Sequence, residues 1–387
     1  MGTSSCKNLC GCKNENELNY QELNNANQIN NNNLINTHLL YNKNYNNFTK
    51  KFEAKLPSFG KYYEINKFKQ IIPENANNYM IENVLNIPKN ININQNIFEM
   101  KPIQFENGNI YNGNWNENYK MDGLGQYYIK EGNLFIEGIW DDGYLVYGRI
   151  FYANDNIYEG EIKNSNYNGY GKLIFNNGEI YEGDFIEGEI TGHGLFTFPD
   201  GTTYEGEFDK GEFKGHGVMK WINGIEYEGE FCGPILSNYG KLTGDNGEMY
   251  EGNFYNNYFN GKGKYTYSDG STYEGEFEFG LKNGKGVYKK KEEFIFDGDW
   301  GNNMPHGFGK FYYKDYIIKG VWRNGINVEI SNFEKGDPKN FNENILNFKE
   351  EGFSLLPQKL PNLESMDNTD KRFLVENSQS YLNTLNE

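Results

Sequence analysis

Cysteine, histidine and basic charge are all scarce in this 387-residue chain, and each shortage narrows what the protein can be. Only four cysteines occur, and Cys6, Cys10 and Cys12 fall in the first twelve residues, so disulfides cannot staple the long middle of the chain and a reducing, cytosolic setting is expected. No apolar run reaches the roughly 18 residues of a spanning helix, and no basic-then-apolar leader suggests secretion. Residues 101–330 hold 21 Lys/Arg against 36 Asp/Glu, which speaks against nucleic acid, because phosphate binding needs clustered cations. A basic protein or a cation is the easier partner for such a surface.

Recognisable catalytic patterns are missing as well. Gly280 to Gly286 reads GLKNGKG, which lacks the phosphate-loop spacing and the hydroxyl residue after lysine. No Gly-x-Ser-x-Gly elbow, kinase loop or cysteine nucleophile context occurs, and Cys232 reads as a small buried residue. No catalytic residue, cofactor or metal site is therefore assigned.

Aromatic residues are plentiful: 31 Tyr and 28 Phe must supply burial that aliphatic residues supply elsewhere. They come in a fixed sentence, typified by TYEGEFDKGEFKGHGVMKWINGIEYEGEF. The glycine of Tyr-Glu-Gly-Glu-Phe recurs at Gly113, Gly138, Gly160, Gly183, Gly206, Gly229, Gly252, Gly275, Gly298 and Gly320. From Gly160 to Gly298 every step is 23 residues, the mark of a repeat architecture whose units bury their apolar faces against neighbours.

In the unit 204–226, Tyr204, Gly206 and Phe208 alternate with Glu205 and Glu207, so one strand face is aromatic and the other acidic. A short turn leads to a second strand with Gly215, Gly217, Met219 and Trp221, closed by Asn223-Gly224. Asn-Gly or Asp-Gly recurs in phase and suits a type I′ hairpin turn. The glycine pairs (169/171, 192/194, 215/217, 261/263, 284/286, 307/309) weaken a strand unless rings lie over them. The aromatic face comprises Tyr158, Tyr181, Phe185, Tyr204, Phe208, Tyr227, Phe231, Tyr250, Phe254, Tyr273 and Phe277. On this reading Gly215→Val displaces Tyr204.

The Tyr-Glu-Gly-Glu-Phe, Gly-x-Gly and Asn/Asp-Gly elements in register resemble the membrane occupation and recognition nexus (MORN) repeat family, over about 220 residues of the chain. Departures fall at Ile136, Val146 and Asn238 and in the last unit, Ile318-Lys319-Gly320. The resemblance implies an all-β fold, an elongated single-layer antiparallel meander of about ten hairpins with disordered or partly helical flanks. At about 4.8 Å per strand, twenty strands would form a rod of roughly 95 Å.

Four segments are expected. Residues 1–48 carry 16 asparagines and read as a disordered leader. Gly2 is an acceptor for myristoylation, although Cys6 stands where Ser or Thr is usual, and thioesters on Cys6, Cys10 or Cys12 would add the second chain that lasting attachment needs. A chance cysteine cluster and a metal site compete with this reading, but Cys-x3-Cys-x-Cys lacks zinc-ligand spacing. Residues 49–104 form a linker whose 64–86 stretch is helix-patterned and serves as an N-terminal cap. Residues 105–330 are the repeat array, and residues 331–387 a tail, partly disordered, with apolar patches suited to a cap or docking peptide.

His193 and His216 share one phase and stand about 10 Å apart, too far to bind one zinc. The ladder Glu159, Glu182, Glu205, Glu228, Glu251 and Glu274 is structural or partner-binding by the same logic, since paired-carboxylate catalysis needs two unlike environments in a cleft. The expected function is a non-enzymatic scaffold at the cytoplasmic face of a membrane, at the cell cortex or a cilium. It would hold a cytoskeletal or signalling protein against exposed rings, with a homodimer implied by the resemblance. The alternative is a phosphoinositide-binding module acting on a lipid kinase in trans, which the net charge of the array disfavours.

Overall fold

The computed structural model describes residues 60–83, 85–91, 93–94 and 96–348. The leader, with Gly2, Cys6, Cys10 and Cys12, and the tail beyond residue 348 lie outside them. Among the described residues, 23 strands form an open, single-layer antiparallel meander accompanied by two α-helices. The chain divides into two compact units, residues 1–199 with 369–387, and residues 200–368.

The first unit opens with β1 (Gly60–Tyr62), α1 (Ile65–Ile71) and α2 (Glu74–Glu82), then β2 (Phe98–Glu99) and β3 (Ile103–Phe105). Four hairpins follow: β4 (Ile110–Trp115) with β5 (Met121–Ile129), β6 (Leu134–Asp141) with β7 (Tyr144–Phe151), β8 (Ile157–Lys163) with β9 (Asn166–Ile174), and β10 (Ile180–Ile186) with β11 (Glu189–Thr197). The second unit holds six: β12 (Thr203–Asp209) with β13 (Glu212–Lys220), β14 (Glu226–Cys232) with β15 (Ile235–Thr243), β16 (Met249–Tyr255) with β17 (Tyr258–Thr266), β18 (Thr272–Glu278) with β19 (Leu281–Lys290), β20 (Phe294–Gly301) with β21 (Met304–Tyr313), and β22 (Tyr316–Arg323) with β23 (Ile326–Lys335). The ten glycines that set the repeat thus mark ten hairpins.

One sheet face is built from the rings. In β12–β13, Gly206 stands opposite Gly217, and a Cβ on Gly217 would lie 2.6 Å from Tyr204 Cε2. The phenol lies across the bare backbone, stacks on Phe213 at 3.9 Å and meets Phe208 and Phe231 edge-on at 5.2 and 4.9 Å. The edge-to-face contacts continue through Tyr227 and Phe254, Tyr250 and Phe277, and Tyr273 and Trp300. In the first unit Tyr158 and Tyr181 both meet Phe185. Such pairs contribute about 0.5–1.5 kcal/mol each beyond the area they bury.

The tyrosine hydroxyl has its own task. The register shifts after Gly206, where Glu207 pairs with Lys214, so Gly215 and His216 are extra residues in β13. This bulge leaves carbonyls outside the ladder, and Tyr204 Oη donates to the Glu207 carbonyl at 2.9 Å. Tyr158, Tyr181, Tyr227, Tyr250 and Tyr273 donate in the same way to the residue three places on.

The bulge also corrects the expectation for Gly215. It lies at φ +60 and faces the Glu207 carboxylate on the opposite side of the sheet, whereas Gly217 is the residue beneath Tyr204. Turn types are exchanged as well. At Asn223-Gly224 only Gly224 has positive φ; its N–H bonds Trp221 O at 3.0 Å, and Asn223 Oδ1 accepts from Ile225 N at 3.2 Å. That is a type I turn ending in a left-handed glycine. The two-residue turn with both φ positive lies at the other end of the hairpin, as at Lys210 (52) and Gly211 (80).

The helices do not close the sheet end as expected. Phe68 and Ala76 pack on Ile110, Phe135, Phe151 and Ile157, on the face opposite the rings, while β1 and β3 pair at the edge. Arg149, buried beneath α2, bonds Asn83 O at 2.6 Å and Glu159 at 2.8 Å and reaches Glu137 at 3.7 Å. At the other end Leu346 and Phe348 cover the ring face: Trp322 Nε1 donates to Leu346 O at 3.1 Å, and Phe348 meets Phe294, Phe296 and Phe311.

Gly217→Ala should lower stability by about 1–3 kcal/mol and change the near-ultraviolet circular dichroism of the tyrosines. Tyr204→Phe should cost about 1 kcal/mol by leaving a carbonyl without its donor; unchanged melting for both variants would overturn the packing described. Burial first, then nearby carboxylates, holds the Tyr181, Tyr204, Tyr227 and Tyr273 hydroxyls well above their ordinary 10.0. The fold favours their neutral form, so this stability is complete below pH 10 and falls as pH rises toward the folded values. Absorbance at 295 nm should show exposed tyrosines ionising first and the ring-face set only together with loss of β-sheet signal.

Candidate interaction face

The eleven ring-face residues singled out from sequence all lie on one side of their strands, between 0 and 5% exposed. They cannot be the exposed anchors expected of them, because each is covered by rings of its own or a neighbouring hairpin. Side chains available to a partner therefore lie on the opposite face, where strands alternate outward by the same two-residue period. Cys232, expected to be buried, ends β14 half-exposed.

This open face carries the glutamate ladder and a second column, in phase, at the residue between paired glycines. In the first unit the face presents Tyr170 and Lys172 beside Glu182, joined at 3.0 and 3.5 Å. Burial, with Glu182 adding, pushes the Tyr170 hydroxyl up to about 12. Toward α1 and α2 this face is covered, and Arg149 neutralises Glu137 and Glu159 there.

In the second unit no described element covers the face, which changes character along the strands. From β17 onward lysines accompany the acids: Lys285 pairs with Asp299, and Lys310 and Lys319 both reach Glu334, at 2.8 and 2.5 Å. Tyr239 bonds Glu251 at 2.8 Å. In β12–β14 Glu205, Glu207, Glu228 and Glu230 surround His216 and Val218; Lys214 and Lys241 stand opposite Glu207 and Glu228, but no lysine of the described residues forms an ion pair with the four. Four carboxylates beside an imidazole and an isopropyl group form a wet, acidic surface open to a basic segment.

His193 and His216 sit at equivalent places on separate hairpins, and His306 Nδ1 is taken by Asn324 Oδ1 at 3.0 Å. No group of three metal-ligating side chains occurs among the described residues. Nothing in the repeat pattern announces Lys282. It occupies a column held elsewhere by Phe213, Leu236 and Phe259, fully buried. Its ammonium donates to Tyr267 Oη at 2.5 Å and lies 5.1–5.5 Å from the ring centres of Tyr267, Tyr273, Tyr288 and Trp300. The cation is held by ring quadrupoles inside the aromatic face, which makes it a structural element of the sheet.

No curated protein matches the chain. Among solved structures, the TCP10 domain of Danio rerio CPAP is 12% identical, with a TM-score of 0.30 over 46% of this chain and 84% of that one. The TCP domain of Drosophila melanogaster SAS-4, solved with a proline-rich motif of Ana2, is 14% identical, with a TM-score of 0.26 over 43% of this chain and 84% of that one. Virginiamycin B lyase of Staphylococcus aureus is 12% identical, with a TM-score of 0.12 over 64% of this chain and 86% of that one. Likenesses this distant carry no functional argument. The family description "MORN repeat" matches residues 158–180, 181–203, 204–225, 250–272, 273–291 and 296–317. The 23-residue beat and the hairpin into which it folds make this chain a MORN-repeat protein.

Proposed function

We propose that the protein is a non-enzymatic scaffold that holds a basic protein segment on its open face beside a membrane. The observation that carries this reading is the group Glu205, Glu207, Glu228 and Glu230, four carboxylates that form no ion pair among the described residues and outnumber the two lysines opposite them, Lys214 and Lys241. The rings are spent on holding the sheet together, so affinity comes from carboxylates steering a cationic partner, with Val218 and His216 as the contact floor. A cytoskeletal or signalling protein at the cell cortex or a cilium is the class of partner intended. Attachment to the cytoplasmic face of the membrane comes from acyl chains on Gly2 and on Cys6, Cys10 or Cys12.

Phosphoinositide recognition by this face is disfavoured on charge, since anionic headgroups would meet unpaired carboxylates. Full-length protein made in a host that adds no acyl groups should not float with vesicles containing phosphatidylinositol bisphosphate. Strong flotation would replace the scaffold reading with lipid-headgroup binding. In the native cell type, Gly2→Ala or Cys6→Ser should move the protein from the membrane pellet to the soluble fraction; retention in the pellet would overturn the anchor. Changing Glu205, Glu207, Glu228 and Glu230 together to Gln should release salt-sensitive partners while leaving the melting curve unchanged. Partners retained at undiminished yield would remove this face from the binding surface.

A further inference from the structure

Along one long edge of the second unit, four of the turns that join the two strands of a hairpin carry apolar side chains into solvent. Ile235, Tyr258, Phe279 and Met304 stand on four successive turns and are 37, 39, 60 and 36% exposed. The residues of these turns, 232–235, 255–258, 278–281 and 301–304, include a single charge, Glu278. The row stops at the charged turn of β12–β13, with Lys210 and Glu212. Phe279 also adopts φ +46 in the first place of its turn, where other hairpins use Lys210, Asn256, Asn302 or Asn324. An aromatic residue in a left-handed conformation, exposed to water, is an uncompensated cost unless something covers it.

What lies beside this row is the point where the described chain stops. The strap that covers the ring face returns to the same edge: Asn347 bridges to Ile326, and Phe348 N donates to Gly325 O at 2.8 Å, on the next turn of the series. We propose that the segment just beyond, residues 352–363, runs along this edge and seats its apolar side chains on Met304, Phe279, Tyr258 and Ile235. Turns two strands apart are spaced by about 10 Å, so the row ends roughly 40 Å from Gly325. Fifteen residues from 349 to 363 span roughly 50 Å when extended, enough to reach Ile235.

The segment has suitable chemistry. Its sequence, GFSLLPQKLPNL, presents Phe353, Leu355, Leu356, Leu360 and Leu363. Pro357 and Pro361 keep it out of a helix and favour an extended course. Lys359 is its one charge, facing a row whose one charge is Glu278. The flank on the other side of the repeats sets the precedent within its own unit, where α1 and α2 fold back over the sheet and bury Phe68 and Ala76.

Photo-crosslinking of the full-length protein tests this directly. With p-benzoylphenylalanine replacing Phe279, irradiation should join the turn to residues 352–363 of the same chain. The same probe at Ile222, exposed on the opposite long edge, should not capture that peptide. Products joining two copies, or none containing the tail, would overturn the proposal. As a second measurement, Leu355→Asp with Leu356→Asp should speed deuterium exchange several-fold at Asn257, Gly280 and Asn303, whose amides tie these turns to the preceding hairpin, and leave Gly224 unchanged. Equal exchange at all four amides would equally rule it out.

Discussion

A phenol ring lying flat on two opposed glycines is the contact on which everything else in this sheet depends. A single layer has no second layer to bury its apolar face, so burial must come from within. Removing the side chains at Gly206 and Gly217 lets Tyr204 drop onto the backbone, where it stacks on Phe213 and presents its edge to rings on either side. Each tyrosine also donates to the carbonyl exposed by the bulge beside it, so one side chain fills the void and satisfies the backbone together. The ninth hairpin isolates the two tasks: Phe296 covers Gly309, where a Cβ would lie 2.5 Å from Cζ, but has no hydroxyl to offer.

Because each unit is completed by the next, the ends need residues that are not repeats. Phe348 adds a ring beside Phe296, and the Leu346 carbonyl accepts from the Trp322 indole. In the tenth hairpin Gly320 meets no glycine on β23; it pairs with Ile330, and the register slips three times. The regular hairpins show one shift each, at the bulge.

The hairpins, their length and their aromatic side were legible because Tyr, Gly and Phe recur at fixed offsets and each offset has a steric meaning. Which glycine does what was not legible. Gly215 and Gly217 look alike in sequence, and only the two-residue bulge reveals that one faces Glu207 and the other Tyr204. The bulge leaves a trace in the sequence, the first glycine of each pair, which lies at positive φ, but an interior strand glycine fits a bulge and a covering ring equally well. The helix pattern at 64–86 was visible, but its destination depended on Phe135, Phe151 and Ile157, three residues outside the repeat consensus on the opposite face. Lys282 was hidden for the opposite reason: a lysine in an apolar column reads as an exposed charge until four rings are seen around it.

The division between the two faces limits what the protein can do. A face that must hold rings edge to face at fixed spacing tolerates no ligand between them, so variation is confined to the other side and to the turns. There the strands are free to carry lysine–acid pairs in β19–β23, an acidic cluster in β12–β14, and an apolar floor for helices in β6–β8. One backbone unit thereby presents three different surfaces without altering the packing that maintains it. Specificity on such a platform comes from the order in which these surfaces follow one another along the chain, which a periodic core leaves unconstrained.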